Sequence, residues 1–359
     1  MHGIKPGQRL SFSTDSEFHS DVYEAEIKAV HPDRWDIHLT FHRGYVLLLP
    51  VCTTIHWLSP GYKNMQSRVI SRDTSEKVWS VTLPAPGKSN SDRTRVLAVG
   101  SGKGGVGKTT FSINLSLALN QIHGQVILLD ADIGMANIEV LLGMQSSYNL
   151  SHVIQGECTL PEILQEGPGG IRILPGSSGI ASLTQLDAIK FNRIIAGFSQ
   201  LEESCSVLIL DTGAGISEPV LKFLEAADDF LLLTTPEPHA MMDAYTLTKV
   251  LVGRNPGINI NLIVNRCESE AEARQCSNGL INAAEQFLGI RPVLLGWMLY
   301  DQRVIRSIKQ KTPVLLAQPK ILFSRQVLDI AHKIVETGNT KKPPSGLKAF
   351  WKRIREGLS

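Results

Sequence analysis

The chain has little of what marks secreted, membrane-spanning or metal-scaffold proteins. Its 359 residues include only five cysteines, Cys52, Cys158, Cys205, Cys267 and Cys276, with no C-x-x-C spacing and no histidine cluster beside them. That scarcity argues against a disulfide framework or a zinc site, and for reduced thiols in a cytoplasm. No apolar run approaches the length of a membrane span, and the opening Met1-His2-Gly3-Ile4-Lys5-Pro6 has no signal-peptide core. The expectation is a chain neither secreted nor membrane-spanning. Charge of either sign is not in excess, since 36 Lys and Arg against 34 Asp and Glu leave a formal +2. Such a balance supplies no global field for nucleic acid, and none is expected as a partner. Internal repeats and long low-complexity tracts are also missing.

What is present is ordinary for a soluble globular protein, 43% hydrophobic and 19% charged, and long enough for about two domains. Residues 1–85 are β-rich, with runs such as Trp35-Asp36-Ile37-His38-Leu39-Thr40 and Tyr45-Val46-Leu47-Leu48-Leu49-Pro50 between Gly, Pro and Asp. A small all-β, barrel-like domain follows from that pattern. Residues 86–94 form a polar link. From 95 to 336 apolar strands alternate with helical stretches, the strands being 95–99, 126–130, 171–174, 207–211, 230–234, 260–264 and 293–297. Short, nearly continuous apolar runs spaced by helices predict an α/β fold, a mostly parallel sheet covered on both faces. Its ligand belongs at the carboxyl ends of the strands. Residues 337–346 read as a second link, and 347–359 as an amphipathic helix.

The stretch Gly102-Lys103-Gly104-Gly105-Val106-Gly107-Lys108-Thr109-Thr110 is a phosphate-binding loop set between a strand and a helix over 110–120. Its backbone N–H groups and the positive helix end can cradle phosphate oxygens, and glycine permits the close approach. Lys108 is expected on the β- and γ-phosphates, and the Thr109 hydroxyl on Mg²⁺. The alternative is a glycine-rich turn with no ligand. Two further acids, Asp130 and Asp132, follow a strand end, and Asp211 ends another strand before Thr212-Gly213-Ala214-Gly215. Asp132 is placed to position an attacking water, Asp130 to hold Mg²⁺ through its water shell, and Asp211 to serve the metal and sense the γ-phosphate. Each acid alone could equally be a cap or a loop start.

These residues resemble the MinD/ParA class of deviant Walker ATPases, over about residues 95 to 336. Within that class, Asp130-Ala131-Asp132-Ile133-Gly134-Met135-Ala136-Asn137 and Thr235-Pro236-Glu237-Pro238-His239-Ala240-Met241-Met242-Asp243-Ala244-Tyr245 look most like the flagellar-number branch typified by FlhG. The resemblance implies a P-loop NTPase fold, with ATP and Mg²⁺ as ligands and slow, partner-stimulated hydrolysis. It also implies an ATP-sandwiched homodimer in which the second lysine, Lys103, crosses to the partner's phosphates. Asn265 would contact the adenine, unless it is simply a strand-end cap. Flagellar partners are implied as well, an FlhF-type GTPase and switch-complex components. The short glutamine-bearing helix that serves the GTPase in many relatives is not visible at this N-terminus. A ParA-type partitioning ATPase and a scaffold with little hydrolysis are the competing readings.

In the tail, Leu347, Phe350, Trp351, Ile354 and Leu358 fall along one face at helical spacing, while Lys348, Lys352, Arg353 and Arg355 occupy the rest. Aromatic anchors beside cations suit an interfacial helix on anionic lipid, each cation contributing about 1 kcal/mol. Two tails on a dimer bind far better than one. The expected location is therefore cytoplasmic, peripheral on the inner face of the membrane. The other possibility is a helix docked on its own domain. The front domain's Ile4-Lys5-Pro6-Gly7-Gln8-Arg9-Leu10, Tyr62 and Val81-Thr82-Leu83-Pro84-Ala85-Pro86 resemble the barrel that precedes PilZ in flagellar-brake proteins. Arg68-Val69-Ile70-Ser71-Arg72 has the arginine spacing of a cyclic-di-GMP clasp, although a solvated strand edge explains it more simply.

Overall fold

The computed structural model describes residues 5–14, 22–31, 34–39, 54–59, 65–73, 78–82, 85–86, 93–132, 137–176, 188–340 and 344–356. The chain divides into two units, Met1–Ser89 and Asn90–Ser359.

In the first unit the strands are β1 (Arg9–Thr14), β2 (Tyr23–Val30), β3 (Arg34–Leu39), β4 (Thr54–Trp57), β5 (Met65–Asp73), β6 (Val78–Thr82) and β7 (Ala85–Pro86). Along β2 the residues Tyr23, Ala25 and Ile27 point inward and Glu24 and Lys28 outward, the two-residue period of a sheet with one wet face. Antiparallel pairing runs β4-β1-β2-β3-β6-β5, and β4 also pairs with β5, which returns the ring to its start. The interior is aromatic. Trp35 and Trp57 meet edge to face at 5.9 Å, and the Trp57 indole N–H donates to Ser67 Oγ at 2.8 Å, which satisfies its one polar atom. Arg72 is exposed on β5, and the Arg68 side chain lies outside the described set.

The second unit holds β8 (Arg95–Ser101), α1 (Lys108–His123), β9 (Val126–Ala131), α2 (Asn137–Leu142), α3 (Leu150–Gln155), α4 (Leu160–Ile163), β10 (Gln165–Glu166) and β11 (Arg172–Leu174). These are followed by α5 (Ala188–Leu201), β12 (Val207–Ala214), α6 (Glu218–Ala226), β13 (Asp229–Thr234), α7 (Pro238–Arg254), β14 (Ile260–Cys267), α8 (Glu270–Leu288) and β15 (Val293–Leu299). The last helices are α9 (Gln302–Lys309), α10 (Val314–Ala317), α11 (Leu322–Thr340) and α12 (Leu347–Glu356). The sheet order is β10-β11-β9-β12-β8-β13-β14-β15, parallel except for β10. Both faces are covered, so β8 is apolar from Val96 to Val99: Val96 and Ala98 join one core, Leu97 and Val99 the other. The central place of β8, between β12 and β13, is what collects the site residues at one pole of the sheet.

The C-terminal segment corrects two expectations. Helix α11 continues to Thr340, into the stretch expected to be a link. The tail is not detached: Leu347, Phe350 and Trp351 are 0% exposed and Ile354 3%, seated between α5 and α6. Trp351 lies 4.6 Å from the ring of Phe198, and Phe350 stacks on Phe223 at 6.4 Å. Hydrophobic burial of four large side chains decides this seat, since each contributes about 1.5–3 kcal/mol. Among the cations, Arg353 donates to the Ala226 carbonyl at 2.8 Å, Arg355 lies over the Phe191 ring, Lys352 is exposed beside Glu356, and Lys348 is half-buried. Leu358 falls outside the described residues.

Candidate nucleotide site

The phosphate loop leaves the carboxyl end of β8 and runs straight into α1. Gly107, at the head of α1, has φ 96°, and a Cβ there would lie 2.5 Å from Asn265 Nδ2. Glycine is required on both counts. Gly102, Gly104, Gly105 and Val106 complete the loop, with Gly104 and Gly105 exposed and Val106 buried as its apolar pin. Lys108 is buried, and its ammonium donates to Ser101 Oγ at 3.0 Å. Burial pulls the Lys108 pKa down, while the charges of Asp211 and Asp132 pull it back up. Thr109 and Thr110 follow in the first turn of α1, half-buried beside the loop.

The three acids come from neighbouring strands. Asp211 on β12 is level with Val99 on β8 and Asp130 on β9. Asp130 is 1% exposed and accepts Ile138 N at 3.1 Å and Asp132 N at 3.2 Å. Burial raises its pKa to about 7, and the Asp211 and Asp132 charges add to the rise. Asp211 accepts the Ser112 hydroxyl at 2.8 Å, while its other oxygen, Oδ2, is buried with no hydrogen-bond partner. Burial pushes its pKa up to about 6, against the lowering effects of Thr109, Ser112 and Lys108. Asp132 is half-buried at the rim, within 3.4 Å of Asn137 Nδ2. Residues 133–136, the rest of that motif, lie outside the described set.

This donor set fits Mg²⁺. Two crowded buried carboxylates and an unpartnered carboxylate oxygen are a surplus of negative charge that a divalent cation offsets. Among the described residues no group of three or more His, Cys, Asp or Glu side chains closes around a metal by itself. That also suits Mg²⁺, which takes one or two protein oxygens and completes its shell with water and phosphate. Thr109, Asp130 and Asp211 are the residues that would hold it. The thiols have no part in this: burial lifts Cys205 and Cys267 to about 12 and Cys276 to about 11.

Lys103 and Lys108 occupy different environments. Lys103 sits on the rim, 42% exposed by side chain, with Nζ 3.3 Å from Glu237 Oε2 at the start of α7. Asn265, at the end of β14, donates from Nδ2 to the Val106 carbonyl at 2.8 Å and so braces the loop. It also lines a cavity of about 200 Å³ with Gly107, Thr110, Phe111, Arg266 and Tyr300. Arg266 takes φ 59° at its mouth, a left-handed conformation that is strained for arginine. The sequence reading missed Ser101, Ser112, Glu237 and Arg266. Ser112 had a usable signal, four residues after Lys108 on the same helical face, and Ser101 stands at the strand end beside the loop, whereas Glu237 is brought in by a contact distant in sequence.

Residues 97–314 match the CobQ/CobB/MinD/ParA nucleotide binding domain. The antiactivator FleN of Pseudomonas aeruginosa is 36% identical over 260 residues, covering 72% of this chain and 93% of FleN. The flagellum site-determining protein YlxH of Helicobacter pylori is 31% identical over 287 residues, 79% of this chain and 97% of YlxH. In fold, MinD of Pyrococcus horikoshii, solved with Mg-ADP, superimposes with TM-score 0.56 at 24% identity, over 69% of this chain and 99% of MinD. The MinC:MinD cell division complex of Aquifex aeolicus gives 0.55 at 23% identity, over 68% of this chain and 96% of the matched chain. The domain match leaves the N-terminal barrel unassigned. With its loop, its two lysines and its strand-end acids in place, the chain is a member of the MinD/ParA family of nucleotide-binding proteins, with the antiactivator FleN and the flagellum site-determining protein YlxH among its relatives.

Proposed function

We propose that the chain is an ATP-hydrolysing switch that dimerises around ATP and Mg²⁺, binds anionic lipid through its C-terminal helix, and regulates flagellar number or placement. The observation that carries this reading is the separation of the two lysines: Lys108 is buried in its own site, whereas Lys103 waits on the exposed rim. A rim cation next to a phosphate loop is suited to a nucleotide held by a second copy.

In the hydrolytic step, loop N–H groups and Lys108 hold the phosphates, and Asp132 accepts a hydrogen bond from the attacking water and orients it toward the γ-phosphorus. As the water oxygen bonds to that phosphorus, the phosphorus–bridging-oxygen bond breaks, ADP leaves with that bond's electron pair, and the water's proton passes to the phosphate product. Bound Mg²⁺ supplies charge neutralisation at the phosphates. Lys103 of the second copy stabilises the charge that develops on the leaving side.

Membrane binding and the docked seat exclude each other, because both use Leu347, Phe350, Trp351 and Ile354. The tail therefore has two alternative apolar environments, and a ligand that favours one state shifts its population. The buried, unpartnered indole N–H of Trp351 costs about 1–3 kcal/mol and narrows the gap between them. Among the described residues no helix is long and apolar enough to cross a membrane. Asp132→Ala is expected to stop phosphate release yet retain ATP-dependent dimers in light scattering; monomers alone with ATP and Mg²⁺ would sink the sandwich. Flotation with phosphatidylglycerol vesicles, with and without ATP, checks the lipid arm, and no flotation in either case removes it.

A further inference from the structure

Two carboxylates, Glu202 and Asp228, are each shared between the same two segments of the chain. Glu202 Oε1 accepts Thr94 N at 2.9 Å, and its Oε2 accepts Leu347 N at 2.6 Å. Asp228 Oδ2 accepts Val96 N at 2.9 Å, and its Oδ1 accepts Ser345 N at 3.3 Å, Ser345 Oγ at 2.5 Å and an Arg353 N–H at 3.3 Å. Thr94 and Val96 begin β8; Ser345 and Leu347 begin the tail.

The chemistry at this junction is specific. Glu202, from the end of α5, is an acid placed at the N-terminus of α12 by a distant part of the chain, satisfying an N–H that the helix leaves open. Gly346, at φ 83°, makes the approach possible, since a Cβ there would lie 2.9 Å from Glu202 Oε1. Arg353 closes the circuit by donating to the carbonyl of Ala226, the last residue of α6. Among the described residues, departure of the tail strips Asp228 of three of the four hydrogen bonds its carboxylate accepts, leaving Val96 N. A carboxylate so deprived draws in water, and water at that carboxylate competes for Val96 N as well.

We propose that Glu202 and Asp228 form a clamp that makes release of the tail and loosening of the start of β8 a single transition. The clamp regulates the tail of the proposed switch and rests on that reading for its purpose, but not for its existence. β8 carries the phosphate loop at its far end, so the clamp ties the tail to the strand that holds the nucleotide.

Amide hydrogen exchange on the full chain tests this. Trp351→Glu expels the tail without touching either carboxylate; exchange at Thr94 and Val96 is expected to rise about tenfold or more together with that of 345–351, while β14 stays as in wild type. Fast tail amides with wild-type exchange at Thr94 and Val96 would overturn the clamp. In the reverse direction, Glu202→Gln with Asp228→Asn is expected to speed exchange throughout 345–351 by a similar factor, and unchanged tail exchange overturns it too. Binding of a fluorescent ATP analogue shows that each variant is folded. If the double variant is not, Gly346→Ala, whose methyl group would press on Glu202 Oε1, the oxygen that accepts Thr94 N, gives the same two readouts while both carboxylates stay in place. Phosphatidylglycerol vesicles added to the wild-type chain and to the Glu202→Gln, Asp228→Asn variant, whose tail faces are intact, separate the two ideas: coupled exchange without vesicle binding supports the clamp and removes the membrane role, whereas vesicle binding with uncoupled exchange removes the clamp alone.

Discussion

Lys103 Nζ lies 3.3 Å from Glu237 Oε2, so the rim ammonium is engaged within its own subunit before any second copy arrives. Both partners are well exposed, 42% and 61% by side chain, and such a pair contributes at most about 1 kcal/mol. Freeing the lysine with Glu237→Gln is expected to tighten the ATP-dependent dimer by no more than about fivefold, and Lys103→Ala to abolish it. Sedimentation velocity with ATP and Mg²⁺ checks both. Wild-type association of the Lys103→Ala chain would remove the lysine from the interface.

The acids of the site predict a pH dependence. Asp130 and Asp211 have folded pKa values raised to about 7 and about 6, so the fold disfavours their charged forms. That cost is absent below the ordinary carboxylate range and complete above the folded values, so ligand-free protein loses stability as pH rises from about 4 to 8. Asp211→Asn keeps an acceptor for Ser112 and removes the charge at the unpartnered oxygen. Calorimetry at pH 8 without Mg²⁺ is expected to show its midpoint several degrees above wild type, with the gap closing toward pH 4 and Mg²⁺-dependent nucleotide binding lost. A lower midpoint at pH 8 would show that the buried charge is not the cost.

Gly107→Ala adds a methyl group at φ 96°, 2.5 Å from Asn265 Nδ2. Either the loop or its Asn265 brace has to move. Titration with a fluorescent ATP analogue is expected to show at least about tenfold weaker binding. Wild-type affinity would mean that the loop tolerates a left-handed alanine and that Asn265 is no brace.

The barrel has its own core, so it should fail on its own. Trp79 is 0% exposed at its centre, and Trp79→Ala is expected to destabilise the barrel by about 3–5 kcal/mol. Calorimetry should show a lowered or missing transition for that unit, with nucleotide affinity unchanged within about twofold. Loss of nucleotide binding would show that the ATPase unit depends on the barrel.

The parts of the site readable in the sequence are those in which chemistry and local conformation share one short segment. Gly102 to Thr110, Asp130 and Asp211 sit beside the strands and helix that position them, and continuous apolar runs identify strands covered on both faces. Glu237 and the Glu202 and Asp228 clamp are fixed by approaches between residues far apart in the chain, which spacing does not encode. The tail shows a different limit. Leu347, Phe350, Trp351 and Ile354 form the same stripe whether they face lipid or the α5 and α6 groove, because a hydrophobic face records the need for an apolar partner and not its identity. The seat begins at Ser345, whose hydroxyl donates to Asp228.

A parallel sheet has unlike poles, and in this one the nucleotide chemistry and the chain's comings and goings are kept apart. At the amino ends of the strands Glu202 joins Thr94 to Leu347 and Asp228 joins Val96 to Ser345; Lys108, Asp130 and Asp211 stand at the carboxyl ends. The strand that feeds the phosphate loop is therefore held at its opposite end by the same two carboxylates that hold the tail, so a probe attached to the tail near Ser345 reports on that pole without touching the residues of the nucleotide site.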